Sequence, residues 1–190
     1  MLTLIRKFLK AKDGLAAVEF AFVAPVLATM LLGSVEVGNA LECRQKVTIL
    51  ASSAADLVAQ TTTVSANDMT NIFNAVSAIV YPFTGTTKIV VSSVMSDGNG
   101  GGTVAWSKAS TGSGLTAGTA VALSTPLMST CNTSASSSCT PCAKNACSVI
   151  LSTVSYTYTS PLGKFLVGSV PITDVFYARP RKSTSVAYTG

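Results

Sequence analysis

The chain has 190 residues, a net charge of +5, only 11% charged residues and no histidine. That length suits one modest domain plus an anchor rather than two large domains, and the charge content is well below the roughly 25% of soluble domains. Without histidine there is no Ser-His-Asp or Cys-His catalysis, no His-ligated zinc or haem, and no imidazole pH switch.

The mean hydropathy of +0.49 comes partly from one apolar block near the N-terminus. Before it stands a short basic leader, residues 1–14, with Arg6, Lys7, Lys10 and Lys12. Then follows LAAVEFAFVAPVLATMLLGSVEVGNAL, in which Glu19 is the only charge between Leu15 and Val35. A helix over 15–41 is about 40 Å long at 1.5 Å per residue, against a hydrocarbon core of about 30 Å. The sequence therefore predicts a transmembrane helix. Basic residues crowd its N-terminal side, while Arg44 and Lys46 share the other side with Glu42. The positive-inside rule then predicts a single-pass protein with a cytoplasmic N-terminus and a translocated remainder.

A secretory signal peptide or a plain anchor accounts for the basic leader and the apolar block. Neither gives a reason for Glu19, since a carboxylate at mid-bilayer costs about 3 kcal/mol even on the lenient scale. The combination of a basic leader, Gly14, four apolar residues, Glu19 and Phe20 resembles a prepilin-type processing junction. The resemblance extends through Val18, Ala21, Pro25, Leu31, Leu32, Gly33 and Glu36 to the TadE-like family of tight-adherence (Flp) pilus assembly proteins, with weaker likeness in VFYARPRKS near the C-terminus. It implies cleavage by a prepilin peptidase between Gly14 and Leu15. It also implies an assembly contact at Glu19 and Phe20, in which the glutamate pairs with the free amine of a neighbouring subunit.

Beyond the span, Val47, Leu50, Ala51, Ala54, Leu57 and Val58 keep helical spacing, which predicts a stalk helix over 42–62 ended by the threonines at 61–63. A second helix is expected over 67–80, with Ser65 as N-cap and Asp68 completing a capping box. Its apolar face is Met69, Ile72, Phe73, Val76 and Ile79, and Tyr81-Pro82 stops it. Strands are predicted at 88–96 and 103–108 around the DGNGGG turn, and at 149–158 and 170–178, the last two pairing antiparallel. The glycine-rich turn lacks the Lys-Ser/Thr and the following helix of a phosphate loop.

Cys131, Cys139, Cys142 and Cys147 cluster in a Ser/Thr-rich loop, and in a translocated domain they are disulfide candidates with three possible pairings. The same cysteines also admit a zinc site, and Cys139-Thr140-Pro141-Cys142 admits thiol–disulfide exchange. Neither has its usual setting, because paired CxxC knuckles and a βαβ context are both missing. Cys43, just past the span, is either a small buried hydrophobe or an interchain bridge.

The expected fold is α+β: one transmembrane helix, a stalk, a short helix, and an antiparallel β-rich extracytoplasmic domain over 63–190. The leading function is structural, as a minor pilin-like or pseudopilin component or assembly factor of a tight-adherence (type IVb-like) pilus, with membrane lipid, pilins, other assembly proteins and a prepilin peptidase as partners. The alternatives are an unprocessed anchored binding module or adhesin, and a periplasmic thiol oxidoreductase using Cys139 and Cys142. Neither catalytic residues nor a cofactor or metal are expected. Nucleic acid is not an expected partner either, because the basic residues form no stripe with interleaved aromatics.

Overall fold

The computed structural model describes residues 14–83, 85–123, 129–131, 139–160 and 168–190. The basic leader before Gly14 and the residues between Cys131 and Cys139 lie outside the described residues.

Helix α1 runs unbroken over Leu15–Ala59, 45 residues, or about 67 Å. Its two halves face different surroundings. In the first, Val18, Phe20, Phe22, Val23, Val26, Leu27, Met30 and Leu31 are exposed around the whole circumference. A helix that is apolar on every side needs an apolar medium, and residues 15–35 cover about 32 Å, enough for a bilayer core. This helix is long and apolar enough to cross a membrane. Pro25 lies within it and donates no hydrogen bond to the carbonyl one turn back.

In the second half one stripe is buried. Cys43, Val47, Leu50, Ala51, Ala54, Ala55 and Val58 are completely covered, at the 3–4 spacing of a single helix face. The helix stops at Ala59, earlier than the expected 62. There the chain leaves the helix to place Thr63 in a strand, and the last turn is closed partly from elsewhere. The Arg181 N–H donates to the Ala59 carbonyl at 2.9 Å, and the Arg181 guanidinium pairs with Asp56. These contacts add to the chain's own closure of the helix end, where the Gln60 N–H donates to the Asp56 carbonyl and the Thr61 N–H to the Val58 carbonyl.

Strand β1 (Thr63–Ser65) leads into α2 (Ala66–Ser77). The capping box is present as expected: the Asp68 N–H donates to Ser65 Oγ, and the Ser65 N–H donates to the Asp68 carboxylate. The Ser65 N–H and, after it, the Ser65 hydroxyl, both donating to the carboxylate, hold the Asp68 carboxyl below its ordinary value. The α-helix ends at Ser77, and Ala78–Val80 tightens into a 3-10 turn before Tyr81-Pro82. Met69, Phe73 and Val76 point inward.

The main sheet contains β2 (Thr87–Ser96), β3 (Gly102–Ala109), β4 (Ala120–Val121), β7 (Ser148–Thr159) and β8 (Ser169–Ala178), all antiparallel, in the order β4-β3-β2-β7-β8. The expected β7–β8 pairing is present over the whole of β8 and from Ile150 to Thr159 of β7. A separate two-stranded ladder joins β5 (Ser129–Cys131) to β6 (Cys139–Pro141), and β9 (Ala187–Thr189) pairs in parallel with β1. None of these short strands has a strong sequence signal.

Side-chain alternation sends Ile89 and Val91 of β2, and Ile150, Val154, Tyr156 and Tyr158 of β7, to the face that α1 and α2 cover. The opposite face carries a small cluster of Val94, Val104, Val149 and Leu151. Strict alternation would put Val104 and Trp106 together. A bulge opposite the Ser93–Val94 step adds a residue at Ala105 and separates them. Trp106 thereby reaches the main core and donates its indole N–H to the Val186 carbonyl at 2.8 Å.

A disulfide joins Cys142 to Cys147, which selects among the three pairings that the sequence leaves open. The short loop it closes is pinned to the end of β2: Ser96 Oγ donates to the Cys142 carbonyl and the Asn145 N–H to the Ser96 carbonyl. Gly98, with a φ of 91°, turns the hairpin beneath this loop. Among the four clustered cysteines, this bridge leaves Cys131 and Cys139, whose Cα atoms are partners in the β5–β6 ladder.

Leu50 is among the largest side chains with no exposed surface, at the middle of the packed half of α1. Leu50→Ala should therefore lower stability by roughly 2–5 kcal/mol, measured by denaturant unfolding of the detergent-solubilised full chain. A loss below about 1 kcal/mol would mean that this stripe is not the core.

Candidate functional site

Gly14 is the N-cap of α1 and makes no side-chain cap bond. A Cβ added there would meet nothing within 4 Å. Any requirement for glycine at this position therefore comes from outside the folded chain. Glu19 lies four residues into the helix, exposed, with no ion-pair or hydrogen-bond partner among the described residues. Phe20 beside it is also exposed. Gly14, Glu19 and Phe20 thus lie within the first two turns of the bare start of α1.

Glu36 behaves differently. It is only 5% exposed, whereas the sequence marks it only as the second acidic residue of the TadE-like pattern. It occupies the same helical stripe as Ala40, Cys43, Val47 and Leu50, so it starts the packed face. Tyr158, at the end of β7, donates its hydroxyl to Glu36 Oε2 at 3.3 Å. The Phe83 ring packs edge-on against Tyr158, with centroids 5.9 Å apart. Lys46 lies over Phe83 and donates to the Tyr81 carbonyl, while also pairing with Glu42 at 3.3 Å. Glu19 precedes Glu36 by 17 residues, which turns it about 100° away around the helix axis. The domain holds one carboxylate and leaves the other bare.

The spacing of Glu36 with Ala40, Cys43 and Val47 is the signal that marks it as core-facing. Tyr158 has no such local signal, because its partner lies 122 residues away.

Beside this pair is a cavity of about 250 Å³ between α1 and the β7–β8 hairpin. Gly33, Val37 and Ala40 line it from the helix, and Tyr158, Ser160 and Val170 from the strands. Two other clefts, between α2 and β3 and between α1 and the end of β8, are wider and more polar.

Cys43 is unpaired and completely buried against the sheet. An interchain bridge between stalks would need it exposed, so of the two expected readings the small buried hydrophobe fits. Burial pushes the Cys43 thiol above its ordinary value, with Lys46 opposing. Burial likewise raises the Tyr156 phenol, and burial together with the Glu36 carboxylate raises that of Tyr158. Cys142, at 3% exposure and bonded to Cys147, is engaged elsewhere than in a Cys139–Cys142 exchange pair or a four-thiolate zinc site.

Residues 14–56 match the family model described as TadE-like protein. The likeness read from Gly14, Glu19, Phe20, Pro25 and Glu36 is thereby borne out over that stretch, which covers the bare half of α1 and most of the packed half. Searches among curated proteins and among solved structures each gave no match.

Tyr158→Phe removes the donor to a buried carboxylate and should cost about 1–3 kcal/mol, read as a lower denaturation midpoint with unchanged far-ultraviolet dichroism. The same residues make the fold alkali-sensitive. Their folded values are raised, so their contribution is intact below the ordinary thiol and phenol values of about 8.5 and 10. Above these, the unfolded chain releases protons that the folded chain holds, and stability falls with rising pH. Melting curves from neutral pH upward should show this decline, less steep in Tyr158→Phe.

Proposed function

We propose that this chain, with its TadE-like segment over residues 14–56, is a pseudopilin-like component or assembly factor of a tight-adherence pilus. It is anchored in the inner membrane by the bare half of α1, with the leader in the cytoplasm and the sheet domain outside. The observation that carries this reading is the change along one continuous helix. The matched segment is exposed and apolar on every side before Glu36 and buried on one side after it.

In this reading a prepilin peptidase cuts between Gly14 and Leu15. The open space around Gly14 supports a role for that residue as a processing substrate rather than as a packing element. The new amine lies one helical turn from Glu19. A carboxylate without a partner in lipid is costly, and the amine of a neighbouring subunit offsets that cost while setting the axial register of the two helices. The chain's role is structural rather than enzymatic. Its partners are pilins, other pilus assembly proteins and membrane lipid, and it does not need nucleic acid.

Co-expression with a prepilin peptidase, followed by N-terminal sequencing, tests the processing step. The expected product begins at Leu15. Gly14→Val should block cleavage and leave the fold unchanged, because a Cβ added at that position meets nothing within 4 Å. An intact Met1, or the same start without the peptidase, overturns the processing reading. Glu19→Ala should be processed as before yet fail to restore pilus assembly in a deletion strain. Full restoration would remove Glu19 from the assembly contact.

A further inference from the structure

The apolar span of α1 has no length to spare. Residues 15–35 cover about 32 Å, against the roughly 30 Å of a hydrocarbon core. Charge bounds the inner end in either form of the chain: Lys12 and Asp13 when it is intact, the Leu15 amine when it is cut after Gly14. Such groups resist entry into hydrocarbon, so a bilayer crossed by α1 has its outer hydrocarbon edge near Gly33. The sheet begins at the same height. Gly33 lines one cavity together with Ser160, just past β7, and with Gly168 and Val170 at the start of β8. From there β8 climbs away from the span: Asp174 accepts from Thr48, and Arg181, just past β8, pairs with Asp56 farther along the helix. One unbroken helix carries both span and domain, so no linker sets them apart.

The chemistry of this end of the sheet suits that height. Among its described residues, 157–160 and 168–171, none is charged. Thr159, Gly168, Ser169, Val170 and Pro171 are exposed. Val37, on the adjoining turn of α1, is exposed as well, so the apolar surface of the span runs on to the domain without a break. Backbone groups beside lipid have no water to bond. Strand β8 ends the main sheet, and Pro171 near its start has no N–H to leave unpaired. The first charge along β8 is Asp174, which Thr48 already engages.

We propose that the end of the sheet where β7 closes and β8 opens is a second membrane-contact surface, resting end-on against the outer face of the bilayer that α1 crosses. Its partner is the lipid surface itself. The Thr159 and Ser169 hydroxyls meet the head groups, and Val37 and Val170 meet the upper acyl chains. A span alone leaves a rod free to tilt, and contacts at the interface restrict it. A contact beside the span blocks tilt towards the sheet and so sets how the domain is presented to other proteins. This rests on α1 spanning a bilayer, as proposed above.

The test uses the full chain in phosphatidylcholine nanodiscs whose acyl chains carry bromine, a fluorescence quencher, near the head-group end. Ser169→Trp and Val175→Trp put reporters on the same face of β8, six residues or about 20 Å apart, at two exposed positions. The native Trp106 gives the background: it lies opposite Ser93, which pairs with Ile150 towards the far end of the sheet. The expected result is severalfold stronger quenching at Ser169→Trp than at Val175→Trp, with Trp106 unaffected. Thr159→Trp, across the ladder from Ser169, should repeat it without a change in β8. Moving the bromine to the ends of the acyl chains should weaken the effect. The proposal is overturned if neither Ser169→Trp nor Thr159→Trp is quenched in chains that co-elute with the disc and keep their dichroism. Equal quenching at Ser169→Trp and Val175→Trp also overturns it, because the sheet would then lie along the membrane. So does stronger quenching by bromine at the chain ends. Failure of the chain to enter nanodiscs would instead refute the membrane reading, and it is seen separately as loss of co-elution with the disc.

Discussion

A single continuous helix, long and apolar enough to cross a membrane, carries two kinds of surface, and the rest of the structure follows from how it does so. The backbone of α1 is hydrogen-bonded internally along most of its 45 residues, which is what allows a chain to cross lipid. The side chains then divide the labour. Before Glu36 they offer apolar surface in every direction, and after it they offer one apolar stripe to a sheet. Because the two halves share one rigid rod, the position of the domain is coupled to the position of the span.

The small residues of α1 matter in that coupling. Ala51, Ala54 and Ala55 let the helix lie close to a sheet face that also carries small side chains at its centre, Ser93 and Ser152. The hydroxyls of both serines are buried without a hydrogen-bond partner among the described residues. Each such group costs free energy, and the surrounding apolar burial at Leu50, Ile89, Ile150 and Val154 offsets it. The sheet is protected at its long edge as well. Pro171 on β8 removes one ladder donor, and Asp174 places a charge there that accepts from Thr48 of α1.

Two glutamates on the same helix show how position decides role. Glu19 is bare and one turn from the start of the helix, with no partner among the described residues. Glu36 lies on the packing stripe and receives a hydroxyl from its own domain. Composition treats the two alike, yet they differ by about 100° of rotation about the helix axis and by the presence of a sheet on one side.

Much of the fold was legible in the sequence because it is local. The apolar block, the helical spacing from Val47 to Val58, the Ser65–Asp68 capping box and the alternation in β7 are all set by residues within a turn or two of each other. The pattern around Gly14 and Glu19 is equally local, so a short stretch is enough to carry the TadE-like likeness. What only the tertiary structure decided is non-local. The central place of β2, the parallel pairing of β1 with β9, the choice of Cys147 for Cys142 and the contact of Tyr158 with Glu36 each join segments that no short-range pattern links. The bulge at Ala105 is decided in the same way, since it is the partner strand and the core behind it that require Val104 and Trp106 to part. Periodicity states which residues need burial; the packing of distant segments determines what buries them.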